Sequence, residues 1–187
     1  MTFSPFRLAL DRYARIRQGA YEFVVEETIR LGHTGPELSL TGIDDRAAAA
    51  WSANWRDTHP SGDGGWDWDQ LARKFLRRPS AFHLAVWYEG RLCGLAVGRM
   101  SRRRRSAVRH TVSIHYMERE PGSGHPLSGT ISVLVFTAAE QYGKRLGASR
   151  LRLMDPLPGL LRYYSQLGFT IASLPGNRIY CERRIRQ

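Results

Sequence analysis

Apolar positions recur along this chain with two periods, and the switches between them mark its elements. From Arg7 to Leu31, Leu10, Tyr13, Ala20, Val24 and Thr28 follow roughly helical spacing, and Gly32 offers a stop. That apolar stripe is thin, which predicts an added peripheral helix or a dimer contact. Glu37 to Gly42 alternates Leu38 and Leu40 with polar residues as a strand does, and Asp44 or Asp45 can cap an alanine-rich helix running to about Trp55. After a loop rich in Pro, Ser and Gly over Thr58 to Gly65, Asp67 caps a helix reaching Arg77, and Pro79 breaks it. Phe82–Tyr88 and Leu92–Arg99 read as two strands around a Glu89-Gly90 hairpin turn. An arginine-rich turn, Ser101 to Ser106, leads to a third long strand, Ala107 to Met117.

A Pro-Gly-Ser-Gly loop from Glu120 to Gly124 precedes the strongest helical signal. From Ser128 to Leu146, Ile131, Leu134, Val135, Ala138, Ala139, Tyr142 and Leu146 draw one apolar face, and Gly147 ends it. Ser149 to Met154 alternates leucines with arginines as a short strand, and Asp155-Pro156-Leu157-Pro158 stops it. Leu160, Leu161, Tyr164 and Leu167 give a short helix closed by Gly168. Strands follow from Phe169 to Ala172 and from Ile179 to Arg184.

The order helix, strand, helix ending in Tyr-x-x-Leu-Gly-Phe, then strand, carried by LRYYSQLGF at 161–169, resembles the acetyl-CoA-binding half of the GNAT N-acetyltransferase superfamily. The resemblance covers about residues 36–184. It implies an α/β fold of the α+β type: a mixed, mainly antiparallel sheet of six to seven strands flanked by helices. Residues 1–35 are then an N-terminal helical extension, and 36–187 the acyltransferase domain. The chain shows no internal repeat and no dividing linker.

Its 187 residues and 42% apolar content suit one folded core. No apolar run approaches the roughly 20 residues that cross a bilayer. Arg7, Asp11 and Arg12 interrupt any signal-peptide core, and the distant Cys93 and Cys181 read as buried thiols of a reducing compartment, so a cytoplasmic protein is expected. The net charge of +11 is unevenly spread: residues 36–70 hold seven acidic side chains against two arginines, a balance of −5, which leaves +16 elsewhere. Six arginines fall between Arg99 and Arg109. The histidines and cysteines form no pair at zinc-ligand spacing, so no metal site is expected.

The resemblance implies acetyl-CoA, or another acyl-CoA, as cofactor. The family's Q/R-x-x-G-x-G/A pyrophosphate loop falls on Leu127, Ser128, Gly129, Thr130, Ile131 and Ser132, where the leading basic residue and both motif glycines are missing. Gly124 extends that candidate site upstream, and the backbone at Tyr116 and Met117 is implied in aligning the thioester. Tyr164 occupies the position of a tyrosine that protonates the departing thiolate. Glu118 and Glu120, at the end of the third strand, are candidate bases for the incoming amine, with His115 beside them.

Trp55, Trp66, Asp67 and Trp68, with Asp63 and Asp69, lie in the segment covering the acceptor in proteins of this kind. Carboxylates and aromatic faces suit a cationic acceptor, a small amine or a protein amine. Arg102, Arg103, Arg104 and Arg105 point instead to phosphates, such as those of an aminoacyl-tRNA. Two function classes stay open: an N-acyltransferase acting on a primary amine, or a catalytically inactive GNAT-like regulatory protein binding nucleic acid or a protein partner. A homodimer is compatible with either.

Overall fold

The computed structural model describes residues 4–58, 64–101, 110–122, 124–174, 176 and 178–186. Asp63 and the arginine turn at Arg102 to Arg105 fall outside them. In chain order the elements are α1 (Pro5–Arg30), β1 (Leu38–Thr41), α2 (Asp45–Asn54), α3 (Trp68–Phe75), β2 (Ala81–Tyr88), β3 (Arg91–Ser101) and β4 (His110–Arg119). Then come α4 (Ile131–Arg145), β5 (Ala148–Met154), a 3-10 turn (Pro158–Leu160), α5 (Leu161–Gln166), β6 (Thr170–Leu174) and β7 (Arg178–Arg184). The strands form one sheet in the order β1-β2-β3-β4-β5-β7-β6, antiparallel throughout except for the parallel pair β4 and β5. This is the mixed, mainly antiparallel sheet with flanking helices that the sequence predicts.

Local chemistry explains the boundaries. Asp44 accepts a hydrogen bond from the Ala47 N–H at 2.9 Å and Asp67 one from Gln70 at 3.0 Å, so each caps its helix. Glu89 and Gly90 take φ of 50° and 76°, the paired left-handed residues of a two-residue hairpin turn. α4 begins three residues later than its periodicity suggests, because Leu127 to Thr130 form a turn before it.

Two cores lie on the two faces of the sheet. On one, α1, α4 and α5 cover residues such as Leu84, Val112, Leu151 and Cys181. On the other, Trp51, Trp55, Trp68, Leu71 and Phe75 of the α2–α3 segment pack on β2 and β3. The structure corrects the peripheral reading of α1. Its stripe is as thin as predicted, but Ala20, Tyr21 and Val24 are at most 1% exposed and belong to the first core. Arg17 reaches past them to donate to the Pro79 and Ala81 carbonyls at 2.8 and 3.0 Å. Apolar spacing alone misses a helix anchored in this way by a buried arginine.

One irregularity shapes the sheet. Between β3 and β4 the register steps from Val97 opposite Tyr116 to Gly98 opposite Ile114, so His115 is an extra residue in β4. Gly98 permits this, since a Cβ there would stand 2.4 Å from the Ser113 carbonyl oxygen. Backbone cannot give way as a side-chain tip can. Gly98→Ala is therefore expected to destabilise the fold by about 1–3 kcal/mol, the usual cost of overpacking, measured by denaturant unfolding. Wild-type stability would show that the strands part freely at this point.

Candidate functional site

β4 pairs with β5 only from His110 to Ile114, opposite Ala148 to Leu153. Past that point β4 continues to Arg119 on β3 alone, while β5 leans on β7. The strands separate there, and a cleft of about 490 Å³ opens between them. Its walls come from Ile114 to Glu120 on one side, Leu153 to Leu157 on the other, and Gly129, Ile131, Ser132 and Tyr164 at the back. A strand edge that stops pairing exposes N–H and C=O groups that need new partners. The cleft is thus a ready receptor for an extended amide-bearing chain.

Most predicted cofactor residues converge here. Tyr116, Met117, Gly129, Ile131 and Ser132 all line the cleft. Gly129 sits at φ 76° before the helix, and the N-cap of α4, Thr130, makes no side-chain cap bond. The first N–H groups of a helix have no intrahelical acceptor, so an uncapped start leaves donors and the positive end of the helix dipole for an anion. The Ser132 hydroxyl is bonded to the Tyr163 hydroxyl at 2.5 Å, which ties α5 to the first turn of α4. Gly94 lets that turn lie close on β3, since a Cβ would meet the Ile131 Cγ2 at 2.7 Å. Leu127 differs: at 3% exposure it is a core residue and takes no part in the wall.

His125 is the anchor that sequence reasoning missed. It is buried, its Nδ1 accepts the Leu127 N–H at 3.1 Å, and its Nε2 lies 2.9 Å from the Cys93 carbonyl. The same carbonyl accepts the Glu120 N–H at 3.0 Å. The imidazole thus fastens the loop entering α4 to β3 and to the end of β4. Cys93, Glu120 and His125 also bring potential metal-ligand atoms within 4.8 Å of one another. Both imidazole nitrogens are already committed, and the Glu120 carboxylate holds the Arg91 guanidinium at 2.7 Å, so the cluster is a hydrogen-bonded knot and a poor fit for a cation. No spacing rule links His125 to a partner 32 residues away.

Tyr164 lines the cleft, 5% exposed, its ring against Phe136, Phe169 and Tyr163. Burial, reinforced by Cys181 and Tyr163, pushes its phenol up to about 12, so it keeps its proton at neutral pH. Glu118 and Glu120 reach the cleft wall, but neither carboxylate is idle. Glu118 accepts the Gly65 N–H at 2.7 Å and the Trp68 indole N–H, which pins residues 64–68 beside the cleft. His115 is pushed down to about 4, first by burial and then by Arg99, Arg178 and Lys74. Burial and these cations thus favour its neutral form.

The acceptor residues divide. Trp66 is 41% exposed, lines the cleft and meets Tyr116 edge-on at 4.9 Å between centroids. Trp55 and Trp68, at 1% and 2% exposure, are core, and their ring faces meet protein. Asp67 caps α3, and Asp69 pairs with Arg56 at 3.1 Å. The cations stacked on this tryptophan-rich half are the chain's own, Arg46 over Trp87 at 4.1 Å and Arg56 over Trp51 at 4.8 Å. Among the described residues, the acidic tryptophan cluster expected for a cationic acceptor is therefore largely folding machinery, and Trp66 alone of it faces the cleft.

No protein-family model matches the sequence, and no curated protein sequence matches it. Solved structures do resemble it. The ribosomal-protein-S18-alanine N-acetyltransferase from Escherichia coli superposes with a TM-score of 0.56 at 14% identity, over 80% of this chain and 95% of that one. An acetyltransferase of the GNAT family from Streptococcus pneumoniae gives 0.54 at 17%, over 80% and 100%. The PaiA N-acetyltransferase from Thermoplasma acidophilum, in complex with coenzyme A, gives 0.53 at 14%, over 79% and 98%. At such identities the likeness concerns the fold, and the fold of this chain is that of the GNAT acyltransferases.

The Glu118 clamp yields a prediction. Glu118→Gln weakens a hydrogen bond to a charged acceptor, worth about 1.5–3 kcal/mol, and frees the Trp66 wall. Acceptor KM is expected to rise about 10-fold or more with coenzyme A affinity unchanged, in steady-state kinetics beside calorimetry. Equal losses in both would mean a general collapse of the cleft.

Proposed function

Starting from a GNAT fold with an open cleft where its sheet parts, we propose that the chain is an acyl-CoA-dependent N-acyltransferase that passes acetyl from acetyl-CoA to a primary amine by direct attack. The observation that carries the reading is the convergence, in one cleft, of the β4 edge at Tyr116 and Met117 where its ladder with β5 has ended, the uncapped start of α4 and the protonated Tyr164. The coenzyme A complex of the PaiA enzyme, which has the same fold, supports it. The cofactor supplies an activated acyl thioester.

The chain's own groups suit the remaining tasks. The N–H groups of Ile131, Ser132 and Val133 face the place of a pyrophosphate, with Gly124, Ser128, Gly129 and Thr130 shaping the approach. Tyr116 and Met117 offer main-chain groups to a pantetheine arm. Tyr164 gives its proton to sulfur as the carbon–sulfur bond breaks and the nitrogen–carbon bond forms. Trp66 borders the entry of the amine. Glu118 and Glu120 act by holding the walls, so the acceptor must arrive as free amine or lose its proton to solvent. In the acid limb, kcat/KM is then expected to rise about tenfold per pH unit up to the pKa of the acceptor's own amine. A plateau well below that pKa would reveal an enzymic base.

Calorimetry with acetyl-CoA tests binding directly. Thr130→Glu puts a carboxylate at the helix start and is expected to abolish binding, whereas unchanged affinity would move the cofactor elsewhere. Tyr164→Phe keeps the ring and loses the proton. Turnover is expected to fall about 10-fold to 10⁴-fold with cofactor affinity retained, and wild-type turnover would return Tyr164 to a packing role. The inactive-regulator reading predicts cofactor binding without turnover on any amine.

A further inference from the structure

The two faces of the sheet are covered unequally. The helices α2 and α3 build their core on β2 and β3, and no residue of β5, β6 or β7 belongs to it. Alternation along β5 and β7 sends Leu151, Leu153 and Cys181 into the α4 core, where they are buried. It sends Arg150, Arg152, Tyr180 and Arg184 to the other side, where among the described residues the α2–α3 core does not extend, with Arg178 at the end of the row. Register sets Arg150 opposite Arg184, Arg152 opposite Glu182 and Met154 opposite Tyr180. The row from Arg178 to Arg184 spans about 20 Å.

Its two ends differ in a useful way. At one end Arg178, Met154 and Asp155 stand at the cleft, whose wall includes the latter two. At the other, β6 begins only at Thr170, opposite Glu182, so β7 runs on past it. This overhang leaves a notch of about 820 Å³ bordered by Lys144, Arg150, Arg183, Arg184 and Arg186. The two carboxylates in the notch are already taken: Glu182 accepts from both Arg150 and Arg152, and Glu140 holds Arg183 at 2.7 Å. With five cations against two acids, the notch keeps an excess of three positive charges.

We propose that this face, from the notch to the mouth of the cleft, binds the phosphate backbone of a single-stranded nucleic acid. Guanidinium groups in a row match successive phosphates in geometry as well as charge. Arg152 lies over the Tyr180 ring at 4.6 Å, which holds its guanidinium flat on the sheet, a plane on which a base can stack. A second copy of this chain would bring the same cations against each other, and an acidic peptide offers neither the phosphate spacing nor the stacking bases. The assignment stands apart from the acyltransferase reading, because it concerns a surface outside the cleft and is tested without cofactor.

The test is fluorescence anisotropy of a labelled strand of about 12 nucleotides, within the site sizes of single-strand binders, with RNA and DNA arms, between 50 and 200 mM salt. The variant replaces Lys144, Arg184 and Arg186 by Ala, three cations for which no ion pair is seen among the described residues. Wild-type affinity is expected to fall steeply with salt, and the triple variant to lose about two units of that slope, at about 0.7 per phosphate contact. Circular dichroism and denaturant unfolding of the same variant separate loss of the surface from loss of the fold. The proposal is overturned by an unchanged slope in the triple variant, by absence of binding to either strand, or by equally tight binding of poly-glutamate. It is also overturned if only alanines at Arg102 to Arg105 abolish binding, since that places the contact outside this face. A stronger RNA arm or a stronger DNA arm each supports it and names the source.

Discussion

The acyltransferase reading depends on two neighbouring strands that begin a parallel ladder and do not finish it. β4 and β5 pair as far as Ile114 and Leu153, and then each keeps only its other neighbour. Backbone polar groups left by such a separation must find partners in water or in a ligand. The bulge at His115 turns the β4 residues beyond it toward the gap, and Gly98 makes room for the bulge. α4 then brings its uncapped start to the back of the same gap, held close by Gly94 and by the His125 knot. The cleft, the uncapped helix start and Tyr164 thus meet at one interruption of the sheet.

The missing glycines and basic residue of the pyrophosphate loop look different in this light. A Gly-rich turn lets backbone approach phosphate, but it does not fix where the turn lies. Here much of the positioning is carried by side chains at a distance, through the His125 bonds and the Ser132 to Tyr163 link. The Ser132 hydroxyl, a potential obstruction at the helix start, is drawn toward α5. The electrostatic design is similarly distributed: in the tryptophan-rich half Asp44 and Asp67 cap helices and Asp69 pairs with Arg56, while β5 and β7 carry cations in excess of their acids.

Much of this was legible in the sequence wherever an element's own period or cap decided the outcome. The helical face of Ile131 to Tyr142, the Glu89-Gly90 turn and the caps at Asp44 and Asp67 each depend on residues a few positions apart. The order of elements around Tyr164 was enough, through the resemblance it carries, to predict the sheet. What stayed hidden depends on partners far along the chain. Trp55 and Trp68 look like ligand-binding aromatics until the fold buries them, and nothing near Glu118 in the chain shows that its carboxylate accepts from Trp68, 50 residues earlier. α1 reads as peripheral because a buried arginine, invisible to apolar periodicity, completes its contact.

Hydrogen exchange with and without coenzyme A addresses the central claim most directly, since the account names the amides that should find new partners. Ligand is predicted to slow exchange at Tyr116 and Met117 on β4 and at Ile131 to Val133 in the first turn of α4, with little change on β1 or β2. Protection absent from both segments, or concentrated on another face of the sheet, would contradict a cofactor site built on the parted strands.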